Sequence, residues 1–189
     1  FAADSAGDEV EVIGSLHRAS SIDVAVLTDT LAGDARPAGL LAANVPFVAF
    51  GRPWGDASST HCWVDVDGSV GTEAAARSLR ADGHTRIGFL GWPAGSGVGD
   101  DRRAGWQRAV ADLPESAGLD VGVTDGATHG AAAAAELLAR GATALVCASD
   151  SLALGALTVY RGLRAEHGRL PLIGFDDTPV ARALGMSSI

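Results

Sequence analysis

Lysine is absent from the 189 residues: all 14 basic side chains are arginine, against 23 acids and a formal net charge of −9. A surface this acidic repels phosphate backbones, so these residues are not expected to bind nucleic acid or anionic lipid themselves. Cysteine is scarce. Cys62 and Cys147 alone rule out a disulfide framework and read as two reduced thiols. No apolar run approaches the ~18–20 residues of a membrane span, because Arg, Asp or Gly interrupts every stretch. The opening Phe1-Ala2-Ala3-Asp4 lacks a Met and lacks the positive start and apolar stretch of a signal peptide. His17, His61, His84, His129 and His167 form no H-x-x-x-H and pair with no cysteine at zinc spacing, so no metal is expected. There is no G-x-S-x-G elbow, and Ser149-Asp150-Ser151 has no base nearby. Nothing in the residues demands an enzyme, and no cofactor and no catalytic residue is expected. The 25 glycines, the many alanines and the missing lysines suggest a high-GC bacterial genome.

What is present is a regular alternation. The length allows one domain or two small lobes at ~100–200 residues per domain. Short apolar runs at Val24–Leu27, Pro46–Phe50, Trp63–Val66, Arg86–Leu90, Ala144–Cys147 and Leu172–Phe175 predict strands. They are nearly continuous rather than alternating, as in strands covered on both faces of a parallel sheet. Helices are predicted over Gly71–Leu79, Asp101–Leu113, Gly130–Arg140 and Ser151–Leu163. Their inward faces would be Trp106, Ala109, Val110 and Leu113, then Ala131, Ala134, Ala135 and Leu138, then Ala153, Ala156, Leu157 and Tyr160. Repeated strand–helix–strand order means an α/β fold with right-handed crossovers. The segment from Gly68 to Thr85 is the best hinge candidate. Both ends look cut: Phe1-Ala2 reads as the tail of a strand, and Met186-Ser187-Ser188-Ile189 closes with no strand or helix. Poor stability of the piece alone is the corresponding expectation.

Several constellations hold residue types that could carry chemistry. Gly95-Ser96-Gly97-Val98-Gly99 follows a strand and precedes a helix, as a phosphate loop would. It continues into Asp100-Asp101, however, and two carboxylates at a helix start repel phosphate, which favours a rim loop. Asp65 and Asp67 share a strand face and could pair as catalytic carboxylates. The plainer reading makes Asp67 the cap of the helix near Gly68 and Asp65 a strand-edge polar residue. His61 and Cys62 point to opposite faces of a strand and make no nucleophile–base pair. A more coherent pattern lies at the carboxyl ends of the strands, where open α/β sheets bind ligands. Arg52, Trp54, Trp92, Ser149, Asp150, Asp176 and Asp177 all follow strands, and Arg102 begins the helix after one. Carboxylates, a forked arginine donor and flat rings suit a neutral polyol such as a sugar. Singly, Asp150 also reads as an N-cap, Arg102 as a partner of Asp100 or Asp101, and each tryptophan as core.

Six strings in order, a set that covers most of residues 10–183, give the chain a family resemblance. They are Asn44-Val45-Pro46-Phe47-Val48-Ala49-Phe50-Gly51-Arg52, Trp63-Val64-Asp65-Val66-Asp67-Gly68, Gly83-His84-Thr85-Arg86-Ile87-Gly88-Phe89-Leu90-Gly91, Asp101-Arg102-Arg103-Ala104-Gly105-Trp106, Ala148-Ser149-Asp150-Ser151-Leu152-Ala153-Leu154-Gly155-Ala156 and Ile173-Gly174-Phe175-Asp176-Asp177-Thr178. Together they resemble the effector domain of the lactose-repressor (LacI) family of bacterial regulators. The resemblance implies a periplasmic binding protein-like I fold of two Rossmann-like lobes with parallel sheets, truncated at both ends. The expected lobes are residues 1–83 and 84–189, with the effector in the cleft between them. It further implies that Arg102 contacts the effector, that Asp176 binds its hydroxyls, and that Ser149 lines the cleft where asparagine is often found. Arg52 is a looser carry-over, and Asp150, Trp54 and Trp92 complete the expected ligand-binding set. The implied partners are a mono- or disaccharide effector, a second copy in a homodimer, and operator DNA. The last would be held by an N-terminal helix-turn-helix headpiece outside these residues. A cytoplasmic location, with no membrane partner, goes with that reading. Two alternatives share parts of the pattern: a sugar-binding protein of a transport system, and an enzyme using Asp65/Asp67 or Asp176/Asp177.

Overall fold

The structure, a computed structural model, describes residues 5–167 and 171–189, without the side chains of 161–167. The expected strand tail at Phe1-Ala2 lies outside the described residues. The chain divides into two compact units, Phe1–Val66 and Asp67–Ile189.

Unit 1 contains α1 (Ala6–Arg18), β1 (Ala25–Leu27), α2 (Arg36–Ala42), β2 (Phe47–Phe50) and β3 (Trp63–Val64). Its strands pair in parallel in the order β1-β2-β3. Helix α1 was not anticipated from the sequence, although its signals are there. Ser5 Oγ accepts from the Asp8 N–H, and Asp8 and Glu9 complement the helix N-terminus. Arg36 ties the two helices together, donating to Asp34 at 3.0 Å and to Glu9 at 3.1 Å. The core is Ala25, Leu27, Leu40, Val45, Phe47 and Ala49, packed against Val10 and Ile13 of α1. Burial alternates along β1 and β2, and Val26, Val48, Phe50 and Val64 stand exposed. Strands covered on both faces were expected here. The helices of unit 1 cover only one face.

Unit 2 runs α3 (Gly68–Ala81), β4 (Ile87–Gly91), α4 (Val98–Val110), β5 (Asp120–Gly122), α5 (Ala127–Ala139), β6 (Ala144–Cys147), α6 (Asp150–His167), β7 (Leu172–Gly174), α7 (Pro179–Leu184) and β8 (Ser187–Ser188). All five strands are parallel, in the order β5-β4-β6-β7-β8. Here the two-sided burial holds: every residue of β4 and β6 is buried. The inward face of α4 is as expected at Trp106, Ala109 and Val110. That of α5 is shifted, with Gly130, Ala133, Ala134 and Leu137 buried and Ala135 exposed. A run of five alanines offers no polar contrast from which to read the helix phase.

The boundary between the units falls at Val66/Asp67 rather than at 83/84, because α3 is locked to α4. Thr72 Oγ1 donates to the Arg102 carbonyl oxygen at 2.7 Å. At Gly105 a Cβ would run into the Ser69 carbonyl oxygen and the Thr72 hydroxyl, so the two helices touch backbone to backbone. Asp67 caps α3 as expected, its side chain accepting from the Val70 N–H. Among the described residues no helix is long and apolar enough to cross a membrane.

In an open helix Gly→Ala gains about 1 kcal/mol. At Gly105 overpacking against α3 should reverse the sign and cost about 1–3 kcal/mol. Urea unfolding of Gly105→Ala measures this, and an unchanged or raised midpoint would contradict the close approach.

Candidate functional site

In unit 2 the chain leaves β4 towards β5 on one side of the sheet, and leaves β6 towards β7 on the other. The carboxyl ends of β4 and β6 therefore flank a topological switch point, where neighbouring connections diverge and open a crevice. Arg102 enters there from the second turn of α4. It is 6 % exposed, so its charge must be met from within the protein. One terminal nitrogen, Nη1, donates to the Ala148 carbonyl oxygen just past β6. The other, Nη2, stands 3.6 Å from Asp176 Oδ1. The guanidinium carbon lies 3.6 Å from the centroid of the Phe175 ring and 5.2 Å from that of Trp92. A cation over two rings is attracted to both.

Asp176 follows β7 and keeps 47 % of its side chain exposed. Its carboxyl titrates above the usual carboxylate range. Burial is the main cause, and the nearby Asp150 and Asp125 carboxylates add to it against the opposing pull of Arg102. The backbone is also unusual here: φ is +100° at Asp176 and +44° at Asp177.

Asp125 is the residue that sequence reasoning missed. It follows β5, a three-residue edge strand with too little apolar character to be read as one. Its Oδ1 accepts from Trp92 Nε1 at 3.0 Å and from Ser149 Oγ at 2.5 Å. Ser149 Oγ in turn accepts from the Leu152 N–H at 3.1 Å. Ser149, not Asp150, thus caps α6. Asp150 is buried, and its carboxylate accepts from the Thr178 N–H at 2.7 Å, the Thr178 hydroxyl at 2.8 Å and the Ser188 hydroxyl at 2.6 Å. The structure thus gathers Arg102, Trp92, Ser149, Asp150 and Asp176 at one end of the unit 2 sheet.

The remaining expected residues lie in unit 1. Arg52 Nε is 2.6 Å from Asp65 Oδ2, and its guanidinium carbon is 4.8 Å from the Trp54 ring centroid. Trp54 Nε1 donates to Thr30 Oγ1 at 3.2 Å. Arg52 and Trp54 line a cavity of about 280 Å³ with Thr30, Asp34, Pro37 and His61, beyond the carboxyl ends of β1 and β2.

Other candidates resolve into structural roles. Asp65 engages Arg52 and Asp67 caps α3, so neither is poised as an acid or base. Arg182 donates to Asp177 at 2.9 Å and holds its carboxyl below the usual range. In the glycine-rich loop Asp100 Oδ2 accepts from the Gly95 N–H at 2.7 Å, and Ser96 Oγ from the Gly99 N–H at 2.9 Å. Those amides are taken by the loop's own side chains. Cys147 is buried, and burial pushes its thiol upward, away from nucleophilic use.

Comparison with known proteins gives a consistent picture. Residues 76–188 match a family model described as a periplasmic binding protein-like domain. A regulatory protein of the LacI family from Chloroflexus aggregans superposes with a TM-score of 0.84 at 34 % identity, over 100 % of this chain and 69 % of that one. The structure of a transcriptional regulator CelR–cellobiose complex gives a TM-score of 0.81 at 32 % identity, over 96 % and 58 % of the two chains. The HTH-type transcriptional regulator CelR of Thermobifida fusca is 32 % identical, over 96 % of this chain and 55 % of that protein. The chain therefore spans about half the length of that curated relative.

The raised titration of Asp176 has a signed consequence. A carboxyl that holds its proton more tightly folded than unfolded loses stability as pH rises from about 3.9 through the raised value. The penalty is absent below the ordinary carboxylate value and grows as pH rises above it. Asp176→Asn should therefore unfold at higher urea than the parent at pH 7, with the gap closing once pH falls below the ordinary carboxylate value. Equal midpoints at pH 7 would show that the charge carries no penalty.

Proposed function

Because this chain belongs to the LacI family of transcriptional regulators, through a periplasmic binding protein-like domain, we propose that it is the effector-binding part of such a regulator and that the effector is a neutral sugar. The chain is not an enzyme: its relatives are regulators. The observation that carries the sugar reading is the group at the switch point of unit 2. An aromatic-backed guanidinium, two partly exposed carboxylates and a tryptophan gather at one end of the unit 2 sheet. Hydroxyl groups donate to carboxylates and accept from guanidinium N–H groups, while a ring's C–H face stacks on tryptophan. Asp125, Asp150 and Asp176 also repel phosphate and carboxylate groups, which favours an uncharged guest over a sugar phosphate or a sugar acid. That CelR is solved with cellobiose supports a saccharide here.

In the proposed mechanism Arg102 and Asp176 fix two neighbouring hydroxyls, and Trp92 orients the ring. Arg52 and Trp54 of unit 1 belong to the same proposed ligand-binding set. Effector binding then favours one arrangement of the regulator over another. It can shift that balance only by its difference in affinity for the two. The output is a change in operator affinity, exerted in the cytoplasm by a homodimer through a helix-turn-helix outside residues 1–189.

The test is calorimetry on the full-length protein with cellobiose, D-galactose and other neutral sugars, beside their phosphorylated or oxidised forms. Arg102→Ala should weaken binding of the accepted sugar by about 1–3 kcal/mol, from lost charge-assisted hydrogen bonds. Unchanged affinity in the variant would overturn the site, and preference for an anionic sugar would overturn the ligand class.

A further inference from the structure

Asp150 was expected among the residues that touch the ligand. We propose instead that Asp150 is a positioning residue: it holds Asp176 in the backbone conformation that presents the Asp176 carboxylate to Arg102 and the effector. The proposal rests on the effector reading above and assigns a role to a residue of that same site.

The argument begins with the backbone. Two consecutive residues other than glycine, Asp176 and Asp177, both lie at positive φ. Such conformations persist only where the surroundings over-determine them. Here they do: the bonds of Asp177 and Thr178 lead to the Asp150 carboxylate, and that of Asp176 goes to the strand segment beside it. The Asp176 N–H donates to the Ile189 carbonyl oxygen at 3.0 Å, and the Asp177 N–H to Ser188 Oγ at 2.9 Å. The Thr178 N–H and hydroxyl donate to Asp150 Oδ2, and Ser188 Oγ donates to Asp150 Oδ1. All three backbone amides after Phe175 are thereby satisfied by a latch, in which Asp150 joins Thr178 directly and Asp177 through Ser188.

The latch is closed on its other sides as well. The Asp150 N–H donates to the Phe175 carbonyl oxygen at 2.8 Å, and the Ile189 N–H donates to the Gly174 carbonyl oxygen at 3.2 Å. Gly174 makes room for the carboxylate, since a Cβ there would run into Asp150 Oδ1. Asp150 is 5 % exposed, and its hydrogen bonds point into the β7–α7–β8 segment. It is therefore aimed at the protein. Thr178 also caps α7 through its hydroxyl, which accepts from the Ala181 N–H. One side chain thus links the starts of α6 and α7 to Ser188 of β8, the strand beside β7.

A positioning role makes a specific prediction about coupling. If Asp150 acts through Asp176, loosening the latch costs affinity only while the Asp176 carboxylate is there to be aimed. The test is a pair of double-mutant cycles in the full-length protein, Asp150→Asn and Ser188→Ala each with and without Asp176→Ala. Cellobiose and D-galactose serve as the calorimetric probes. Ser188→Ala leaves every carboxylate in place and keeps the test open if Asp150→Asn fails to fold. Alone, each change should weaken the bound sugar about tenfold, and on the Asp176→Ala background neither should weaken it further. Equal losses on both backgrounds, or no loss on either, would overturn the proposal. A second arm needs no sugar: crystal structures of ligand-free parent and Ser188→Ala protein. The parent should keep Asp176 at positive φ beside Arg102 and the variant should not. Retention in the variant would overturn the latch. A parent that binds neither probe overturns the effector reading instead, and the crystallographic arm still decides the latch.

Discussion

A buried guanidinium governs the architecture of unit 2. Moving an isolated charge out of water is costly, and the cost is met only by partners fixed in place beforehand. Arg102 has them from three directions: a carbonyl oxygen past β6, two aromatic rings, and the carboxylate of Asp176 past β7. These partners come from three connections of the sheet: Trp92 follows β4, Ala148 follows β6, and Phe175 and Asp176 follow β7. The parallel strand order β5-β4-β6-β7-β8 brings those connections to one end of the sheet, and the backbone contact at Gly105 holds α4 against α3. Fold and site are in this sense one constraint.

The electrostatics of the crevice follow from the same arrangement. Arg102 draws Asp176 towards ionisation, while burial, Asp150 and Asp125 push it back, and the second group prevails. A carboxylate left short of compensation is a good acceptor for hydroxyl donors, which restore hydrogen bonds that water would otherwise supply.

Much of this was legible in the residues, for reasons that can be named. Ala144–Cys147 has the length and composition of a strand buried on both faces, and it is one. Asp67 before a helical run reads as a cap because a short acidic side chain can reach the third amide of the helix, and it does. Arg102 and Asp176 were legible because they stand beside recognisable strings. What escaped has physical causes too. Asp120–Gly122 is an edge strand of three residues, and missing it hid Asp125. Ser149 and Asp150 are adjacent, and only the three-dimensional path of the β7–α7 segment decides that the serine caps α6 while the aspartate accepts from Thr178 and Ser188. The uncovered face of β1-β2-β3 is likewise invisible in a pattern of apolar runs, since composition does not say how many layers of helix a sheet receives.

The most direct measurement of the central claim is a crystal structure of the full-length protein with the neutral sugar it binds most tightly. The account predicts sugar hydroxyls within about 3.2 Å of both the Arg102 guanidinium and the Asp176 carboxylate, with a ring face against Trp92. A sugar bound elsewhere, with Arg102 and Asp176 still facing only each other, would contradict it.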